Sequence, residues 1–309
     1  MAPKIFIDGE HGTTGLQIVT RLTGRTDIEL MSMPAEQRRD PEVRKAFLRE
    51  ADIAILCLPD DAARESVALA ADAGTRFIDA STAHRSHPDW AYGFAELSKD
   101  QAARIASAQF VSNPGCYSTG ATALLAPLVA SGLLPADYPV TINAVSGYTG
   151  GGKQMIAQME DASRDDAITA PHFAYALTLA HKHVPEIIAR TGITRRPIFT
   201  PAVGRFAQGM LVNLPLHLDL MNGNVTLSAL HAALSAHYQG SDIVEVASVE
   251  EAFQAGRLDP EELKDTDRMK IYVCGTEGTG QANLIASLDN LGKGASGAAV
   301  QNLNLMIAG

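Results

Sequence analysis

The fold is decided by residues 4–15, which read KIFIDGEHGTTG. Lys4–Asp8 is a short run rich in residues that favour β-strands, and the segment after the last glycine reads as a helix. Gly9, Gly12 and Gly15 therefore lie between a strand and a helix. Because a glycine has no Cβ, each lets the backbone turn tightly or approach a pyrophosphate, which the helix N-terminus then stabilises.

The spacing of these glycines is GxxGxxG, whereas dinucleotide dehydrogenases usually show GxGxxG. The spacing alone is therefore also compatible with an ordinary strand–helix turn. The position of the loop, directly after the first strand, favours a dinucleotide site. We expect the cofactor to contact Gly9, Gly12, Thr13, Thr14 and Gly15.

The end of the second predicted strand, residues 28–33, indicates which dinucleotide is bound. NAD sites usually hold an acidic residue there to accept the ribose 2′-hydroxyl. Here the strand tip lacks one, and Arg38 and Arg39 follow. This pattern favours a 2′-phosphate and hence NADP, with Ser32 and the two arginines as contacts. The alternative is that both arginines are solvated loop charges.

The first third of the chain alternates strand and helix signals. Asp40 and Pro41 open a helix, residues 53–58 form a buried strand, and Asp60 or Asp61 caps a helix that stops at Gly74. This rhythm predicts βαβ units in an α/β, Rossmann-like doubly wound parallel sheet. After about residue 115 the signals change to an α+β pattern, with strands at 139–145, 197–201, 210–218, 243–247 and 269–274 and helices at 228–238 and 249–254.

Composition excludes several classes of protein. The 309 residues are 46% hydrophobic, which fits a folded protein, and 25 basic against 35 acidic residues give a net charge of −10. That charge argues against nucleic acid and anionic membranes as partners. Neither a secretory signal nor an apolar run of about 20 residues occurs, so we expect a cytoplasmic protein. Cys57, Cys116 and Cys274 show no CxxC spacing, which argues against disulfides and a metal site.

Cys116 is the candidate nucleophile. The segment SNPGCYSTG, residues 112–120, leaves a predicted strand, turns through Asn-Pro-Gly and places Cys116 at the start of an apolar helix. The helix dipole and the first N–H groups there favour a thiolate, and the same donors can stabilise an oxyanion. Cys57 and Cys274 lie inside apolar strands and are expected to be inert.

A cysteine nucleophile needs an acid/base partner, and the segment HKHVPE, residues 181–186, offers two imidazoles where a helix begins. We favour His183 and keep His181 as the alternative. Spacing alone is equally compatible with two exposed loop histidines. A metal site is the weaker interpretation, because no third ligand cluster accompanies the pair.

Together these motifs resemble the N-acetyl-gamma-glutamyl-phosphate reductase family of arginine biosynthesis, in its short form. The resemblance extends to the segments IDASTAHR (78–85), YGFAEL (92–97), SGYTGGGK (146–153) and DNLGKGASG (289–297). It departs at Glu10-His11, where longer members carry small residues, and at Lys153, where they often have arginine.

The resemblance implies a two-domain, glyceraldehyde-phosphate-dehydrogenase-like arrangement. Residues 1–115 and 290–309 would form the NADP-binding domain, and 116–289 the catalytic and oligomerisation domain of a homodimer or homotetramer. Asn290 and the segment 292–297 would then border the cofactor. The further residues expected at the sites are Ser81, Lys293 and Gly294 for the cofactor, and Arg205, Lys153, Ser146 and Asn113 for the substrate.

The resemblance also implies the reaction. Cys116 would attack the acyl phosphate of N-acetyl-L-glutamyl 5-phosphate, and NADPH would reduce the thioester to the semialdehyde. Two alternatives remain at this point. One is a related acyl-phosphate reductase, such as aspartate-semialdehyde dehydrogenase or an aminoadipate-pathway reductase. The other is a non-catalytic NADP-binding regulator, which would not need Cys116 and the histidine pair together.

Overall fold

The computed structural model describes residues 2–34, 36–37 and 40–309. Arg38 and Arg39, expected at the 2′-phosphate, lie outside the described residues. The chain divides into two units by its internal packing. Unit 1 comprises Met1–Ala95, Lys99–Pro114 and Ala295–Gly309, and unit 2 comprises Glu96–Ser98 and Gly115–Gly294.

Unit 1 is built on a parallel sheet with the strand order β2-β1-β3-β4-β6-β5. Because β1 leads to β2 on one side while β3 lies on its other side, the carboxyl ends of β1 and β3 form a topological switch point. The doubly wound sheet predicted from the sequence is thus confirmed. Its elements are β1 (Lys4–Asp8), α1 (Thr13–Leu22), β2 (Glu29–Met31), α2 (Pro41–Glu50), β3 (Ile53–Leu56), α3 (Asp60–Ala70), β4 (Arg76–Asp79), β5 (Ala91–Tyr92), α4 (Gln101–Ser107), β6 (Phe110–Ser112) and, near the chain end, α10 (Gly297–Ala308).

The two faces of this sheet bury different sets of side chains, because successive strand residues point to opposite faces. Ile5 and Ile7 of β1 join one core cluster, which also contains Leu303 of α10. Phe6 between them joins the other cluster, together with Leu48 of α2. The last helix therefore supplies part of the core of unit 1.

Arg76 ties the end of α10 to unit 1. Its guanidinium Nη1 donates to the carbonyl of Met306 at 2.6 Å, and its Nε donates to the carbonyl of Ala108 at 3.0 Å. A cation at a helix C-terminus satisfies carbonyls that have no intrahelical partner and stabilises the negative end of the dipole.

Unit 2 is built on a mixed sheet with the strand order β11-β12-β13-β10-β7-β9-β8. The helix α5 is apolar all round, and its residues from Tyr117 to Leu128 are buried, as expected for a helix enclosed by other elements. The elements are α5 (Cys116–Ala130), β7 (Thr141–Gly147), α6 (Gly152–Glu160), β8 (His172–Ala174), α7 (His183–Thr191), β9 (Ile198–Gly204), β10 (Met210–His217), α8 (Leu227–Tyr238), β11 (Val244–Val246), α9 (Val249–Gln254), β12 (Met269–Cys274) and β13 (Gln281–Leu288). Along the described chain, no helix combines the length and apolar character needed to cross a membrane.

Local helix signals were correct in some places and wrong in others. Asp40 caps α2 as predicted, accepting from the N–H of Glu42 at 2.9 Å. The α3 cap is different: the helix begins at Asp60 itself, whose carboxylate instead accepts from the N–H and hydroxyl of Thr82. Helix-capping patterns in the sequence cover only a few residues, so they cannot reveal a hydrogen-bond partner 22 residues away.

Two larger features of unit 2 were not anticipated. The strand β13, which lies between β12 and β10, was not identified from the sequence, although its exposure alternates along the strand. Residues 290–294, assigned from the sequence to the nucleotide domain, lie in unit 2. They do so because Asn290 donates to Thr149 Oγ1 and accepts from the N–H of Gly209, both in unit 2.

Candidate active site

Cys116 is the first residue of α5, and it follows a turn through Asn113, Pro114 and Gly115. Its side chain is half-buried. The first N–H groups of a helix have no intrahelical acceptor, and the helix dipole is positive there. The structure therefore gives Cys116 the location that the sequence predicted, at a helix start, which is a position that favours a thiolate and can stabilise an oxyanion.

Glu186 fixes the residue just before the cysteine. Its carboxylate Oε1 accepts a hydrogen bond from the backbone N–H of Gly115 at 2.9 Å. The side chain is buried with 1% of its surface exposed. Since Gly115 is the N-cap residue of α5, this bond attaches the start of that helix to α7. His183 lies three residues before Glu186, so both side chains share one face of α7.

The two candidate histidines pack against the aromatic side chain that follows the cysteine. The ring of Tyr117 lies 5.9 Å from the ring of His181 and 5.9 Å from the ring of His183, measured between centroids. The two imidazoles are 4.6 Å apart and nearly perpendicular. The helix α7 begins at His183, so the histidine pair lies where a helix begins, as the sequence predicted.

The hydrogen bonds of His181 indicate its tautomer. Its Nδ1 accepts from the backbone N–H of His183 at 3.1 Å, so Nδ1 carries no proton in this arrangement. Its Nε2 faces the hydroxyl of Tyr175 at 3.3 Å. Both ring nitrogens of His181 therefore have partners within the protein, and the network assigns it the Nε2–H form. His183 is more deeply placed, with 5% of its surface exposed.

The tyrosines around the histidines remain protonated at neutral pH. Burial raises the pKa of Tyr117 far above its ordinary value, and the nearby Tyr175 and Cys116 raise it further. Burial also raises the pKa of Tyr175 to about 12. Tyr117 donates its hydroxyl proton to the carbonyl of Ala202 at 2.9 Å. Both hydroxyls are therefore protonated at neutral pH and available as hydrogen-bond donors.

Ser146 lies at the edge of the unit 2 sheet where several strands end. It is buried, precedes the last residue of β7, and pairs with Met210 at the start of β10. Gly147 beside it pairs with Gly204 at the end of β9, so Arg205 follows at the same edge. The predicted substrate residues Ser146 and Arg205 are thereby brought to one edge of the sheet.

The guanidinium of Arg205 is engaged with the backbone. Nη1 donates to the carbonyl of Ile168 at 2.5 Å, and Nη2 donates to the carbonyl of Met159 at 3.0 Å. These bonds hold the segment between α6 and β8. Lys153, the other predicted cation, is exposed in the first turn of α6. Substrate binding by either cation stays a prediction.

The glycine loop of unit 1 has the geometry of a dinucleotide cradle. Gly9 adopts φ +93°, and a Cβ there would lie 2.4 Å from the carbonyl oxygen of Cys57. A Cβ on Gly15 would lie 2.3 Å from the carbonyl oxygen of Gly9. The helix α1 then begins at Thr13, with Thr14 as its second residue.

The same loop borders a cavity of about 290 Å³ at the switch point of the unit 1 sheet. Residues that line it include Gly9 and Gly12 after β1 and Cys57 after β3. Ligands of doubly wound sheets bind at this point, and a helix N-terminus stabilises a phosphate. The residues present therefore fit NADP.

Two further residues predicted at the cofactor lie near the same edge of unit 1. Ser32 is exposed directly after β2. Ser81 is buried after β4, and its hydroxyl donates to the Asp79 carboxylate at 2.8 Å. That carboxylate also contacts Nδ1 of His84 at 2.6 Å. Ser81 is thus occupied in a buried polar cluster, and its contact with cofactor stays a prediction.

Asn113, predicted to bind substrate, has its side chain committed inside unit 1. Its Nδ2 donates to the carbonyl of Ala295 at 3.0 Å, and its Oδ1 accepts from Asn302 Nδ2 at 3.1 Å. The amide therefore holds the chain that leads into α10. Substrate binding by Asn113 has no support in these contacts.

Of the three residues predicted near the cofactor in the segment 290–294, two have side-chain contacts within unit 2. Asn290 holds Gly209 and Thr149 through its amide, and Lys293 is buried in an ion pair with Glu96. Gly294 lies against Cys116, because a Cβ built on it would be 2.9 Å from the Cys116 Cβ. Among the described residues, Gly294 of this segment therefore lies next to Cys116.

Sequence reasoning missed Glu186 and Tyr175 as site residues. A signal for Glu186 was available, since it lies three residues after His183 and the interval of one helical turn places both on one face. Tyr175 lies outside any helix or strand, so no periodic pattern marks it.

The comparisons with known proteins define the class. Residues 4–105 match the family model of the semialdehyde dehydrogenase NAD-binding domain, and residues 116–290 match the semialdehyde dehydrogenase dimerisation domain. Two solved structures have the same fold. Aspartate semialdehyde dehydrogenase II of Vibrio cholerae gives a TM-score of 0.74 at 17% identity over 100% of this chain and 99% of that one. A probable aspartate-semialdehyde dehydrogenase of Pseudomonas aeruginosa gives 0.73 at 18% identity, covering 99% of each chain.

Within the semialdehyde dehydrogenase class, two curated relatives identify the family more closely. A protein of Rhizobium rhizogenes named N-acetyl-gamma-glutamyl-phosphate reductase is 61% identical over 309 residues, covering 100% of both chains. A protein of the same name from Brucella anthropi is 62% identical over 308 residues, or 99% of each chain. At this identity over the full length, the chain belongs to the N-acetyl-gamma-glutamyl-phosphate reductase family.

Proposed function

We propose that this chain catalyses the NADPH-dependent reductive dephosphorylation of N-acetyl-L-glutamyl 5-phosphate to N-acetyl-L-glutamate 5-semialdehyde, a step of arginine biosynthesis. The name of the curated relatives supports this reaction. The observation that carries the proposal is the start of α5. There the N–H of Gly115, the residue before Cys116, donates to the buried Glu186 carboxylate. The two histidines pack against Tyr117, the residue after Cys116.

The first step is acyl transfer to Cys116. The thiolate attacks the acyl carbon, and the N–H groups at the start of α5 stabilise the oxyanion of the tetrahedral intermediate. The intermediate collapses by breaking the bond to phosphate, which leaves with the electron pair. A thioester on Cys116 remains. The fixed Gly115 keeps these donors aimed at one position, so little reorganisation is needed.

In the second half of the reaction the thioester is reduced, and this step needs a general acid/base. NADPH supplies a hydride when bound. His183 protonates the thioester carbonyl oxygen, which becomes negative when the hydride is added. It later removes the proton from that oxygen as the C–S bond breaks, which releases the aldehyde and the Cys116 thiolate. An imidazole suits this shuttle because its ordinary pKa is close to neutral. We assign the role to His183 because it begins α7 on the same face as Glu186, whose carboxylate bonds the Gly115 N–H just before Cys116.

The cofactor-holding residues are those of the glycine loop. Gly9, Gly12 and Gly15 allow close approach of the pyrophosphate, and the first turn of α1, with Thr13 and Thr14, meets its charge. In unit 2, Ser146, Lys153 and Arg205 are the groups proposed for the substrate. A carboxylate and a phosphoryl group both require such donors.

The assembly and location are proposed with the reaction. The match of residues 116–290 to a dimerisation domain supports an oligomer, which we propose to be a homodimer or homotetramer. We propose that the enzyme acts in the cytoplasm on a small-molecule substrate.

The decisive assay is NADP⁺- and phosphate-dependent oxidation of N-acetylglutamate semialdehyde, with aspartate semialdehyde as the control substrate. Turnover of the N-acetylated substrate alone supports the proposal. Preference for aspartate semialdehyde would favour the related acyl-phosphate reductase, and binding of NADPH without turnover of either would favour a regulator. Cys116→Ser should abolish turnover and spare NADPH binding.

A second assay tests the cofactor assignment. Replacing Arg38 and Arg39 with alanine should raise the KM for NADPH and leave that for NADH unchanged, because only the former carries a 2′-phosphate. The wild-type enzyme should prefer NADPH. A preference for NADH would contradict the role of the arginines.

A further inference from the structure

A buried ion pair in unit 2 lies outside the steps described above. The Lys293 ammonium and the Glu96 carboxylate are 2.6 Å apart, and the side chains are 1% and 10% exposed. The backbone carbonyl of Glu96 also accepts from His237 Nε2 of α8 at 3.0 Å. Glu96 is therefore attached to unit 2 by both its side chain and its backbone.

A buried ion pair of this kind fixes the geometry of its two side chains more than it adds to the free energy of unfolding. Removing two charges from water costs free energy that their attraction returns only when the hydrogen-bonding geometry is good. Burial lowers the pKa of Lys293, while the contact with Glu96 raises it. Removing one partner takes from the other buried charge its 2.6 Å ion-pair contact, so we expect the two groups to act as a unit.

The residue after Lys293 is in van der Waals contact with the candidate nucleophile. A Cβ built on Gly294 would lie 2.9 Å from the Cys116 Cβ and 3.4 Å from its Cα. The Gly294 N–H donates to the carbonyl of Asp289 at 2.9 Å, the i→i+5 bond of a π-helical turn. Gly294, at the end of this turn, therefore lies directly beside Cys116.

Both ends of this segment are anchored. The Asp289 carboxylate accepts from Gln208 Nε2 at 3.1 Å and from the Asp265 N–H at 2.7 Å. At the other end, Lys293 is held by Glu96. Gly294 is thereby placed against Cys116 from a turn that is fixed on both sides.

We propose that Lys293 and Glu96 are positioning residues for Cys116: their buried ion pair holds the turn that places Gly294 against the cysteine and so sets the reactivity of its thiol. This inference rests on the proposed role of Cys116 as nucleophile. It assigns Lys293 to the cysteine rather than to the cofactor, because its ammonium is already bonded to Glu96 in the interior.

The test measures the alkylation rate of Cys116 by iodoacetamide, followed by site-resolved mass spectrometry across pH values of about 6 to 9, where thiols ionise. We expect Lys293→Met and Glu96→Gln each to slow alkylation about fivefold or more, since small displacements of a reacting group are costly. The double variant should be no slower than the slower single variant, because the pair acts as a unit. If the two single-variant reductions in alkylation rate multiply in the double variant, the residues act independently, which would contradict a paired action.

A surface ion pair provides the matched control. Arg164 Nε contacts Asp166 Oδ1 at 2.7 Å on the same unit, and the two side chains are 38% and 45% exposed. Arg164→Met should leave the alkylation rate within about twofold of wild type, since exposed pairs contribute little. If Lys293→Met lowers only the melting temperature and leaves the rate–pH profile of Cys116 unchanged, the pair is merely structural and the proposal is wrong.

A second variant keeps the test informative if the charge variants do not fold. Gly294→Ala retains the ion pair and adds one methyl group against Cys116. We expect alkylation about fivefold slower, and an unchanged rate would contradict the contact.

NADPH titration separates this role from cofactor binding. Lys293→Met should bind NADPH within about twofold of wild type, as expected when no contact to the ligand is removed. Weaker NADPH binding with normal thiol reactivity would overturn the proposal in favour of a cofactor contact. Turnover by Cys116→Ser would instead refute the proposed nucleophile, a result independent of the alkylation rates.

Discussion

The Glu186 carboxylate accepts a 2.9 Å hydrogen bond from the Gly115 N–H, and this bond joins the helix that carries the candidate acid/base to the helix that carries the candidate nucleophile. The bond is buried, so no water competes for it. A carboxylate bonded to a backbone N–H forms one of the stronger hydrogen bonds in proteins. Besides the packing of Tyr117 against His183, the Glu186 side chain therefore helps to set the relative position of Cys116 and His183.

Removing the Glu186 carboxylate should impair catalysis. We expect Glu186→Ala to lower kcat/KM by about 10- to 100-fold, the equivalent of about 1–3 kcal/mol for a buried N–H left without its acceptor. Glu186→Gln should lose less, because its amide oxygen can still accept from Gly115. Steady-state kinetics together with thermal unfolding would measure both effects.

A matched control is Glu262→Ala, which removes a carboxylate bonded to the hydroxyl of Tyr272 in the same unit. It should leave kcat/KM near the wild-type value. If Glu186→Ala keeps wild-type kinetics, the bond to Gly115 has no role in the reaction.

The three thiols should differ in reactivity at neutral pH. Burial raises the pKa of Cys57 to about 12, and burial also raises the pKa of Cys274. A raised thiol pKa keeps the group protonated below that value, and the protonated form is not nucleophilic. Iodoacetamide should therefore modify Cys116 first, as mass spectrometry of the alkylated peptides can show.

Substrate protection completes that experiment. N-acetylglutamate semialdehyde should slow modification of Cys116 and leave the slower reactions of Cys57 and Cys274 unchanged. Faster labelling of Cys57 than of Cys116 would be incompatible with the site described.

The two histidines should not be equivalent. His183→Asn should lower kcat by about 10²- to 10⁴-fold, the range for loss of a general acid/base. His181→Asn should cost less, because its ring nitrogens are engaged by Tyr175 and the backbone. Measuring kcat against pH for both variants checks the assignment, and a larger loss for His181→Asn would exchange the roles.

The glycine loop makes a prediction about cofactor affinity. A Cβ on Gly15 would lie 2.3 Å from the Gly9 carbonyl oxygen, so Gly15→Ala must displace the loop. We expect NADPH binding to weaken about tenfold or more, the loss of about 1.4 kcal/mol or more of binding energy. Fluorescence titration of NADPH measures this directly.

Gly24→Ala is the control for glycine removal in the same unit. Gly24 has φ +84° with nothing within 4 Å of its Cβ position, so alanine there strains only the backbone. It should cost about 1 kcal/mol of stability and leave NADPH affinity unchanged. Equal affinities for the Gly15→Ala variant and wild type would remove the loop from the cofactor site.

Much of unit 1 was predictable because its signals are local. The strand Lys4–Asp8, the cap of α2 at Asp40 and the turn at Gly74 each follow from neighbouring residues, through side-chain burial, capping and the left-handed φ that glycine allows. The placement of Cys116 at the start of α5 follows from the Asn-Pro-Gly turn before an apolar helix. The match to relatives confirmed the reaction class that these motifs indicated.

Other features could not be predicted, since they depend on distant residues. The strand β13 was missed although its pattern alternates, because its role depends on pairing with β12 and β10 on either side. Asn113 has the residue type expected of a substrate ligand, yet the fold commits its amide to the carbonyl of Ala295 and to Asn302. Residue type alone does not show which partner reaches a side chain.

By itself the sequence determined the glycine loop, the cysteine at a helix start, the histidine pair and the family. Tertiary structure alone decided how they are held: Glu186 meets Gly115 across 71 residues, and Lys293 meets Glu96 across 197. Periodicity, capping and turn chemistry act within a few residues and are readable from a linear sequence. Such long-range partners are chosen only when the chain closes on itself, because burial and the requirement to satisfy buried polar groups select them.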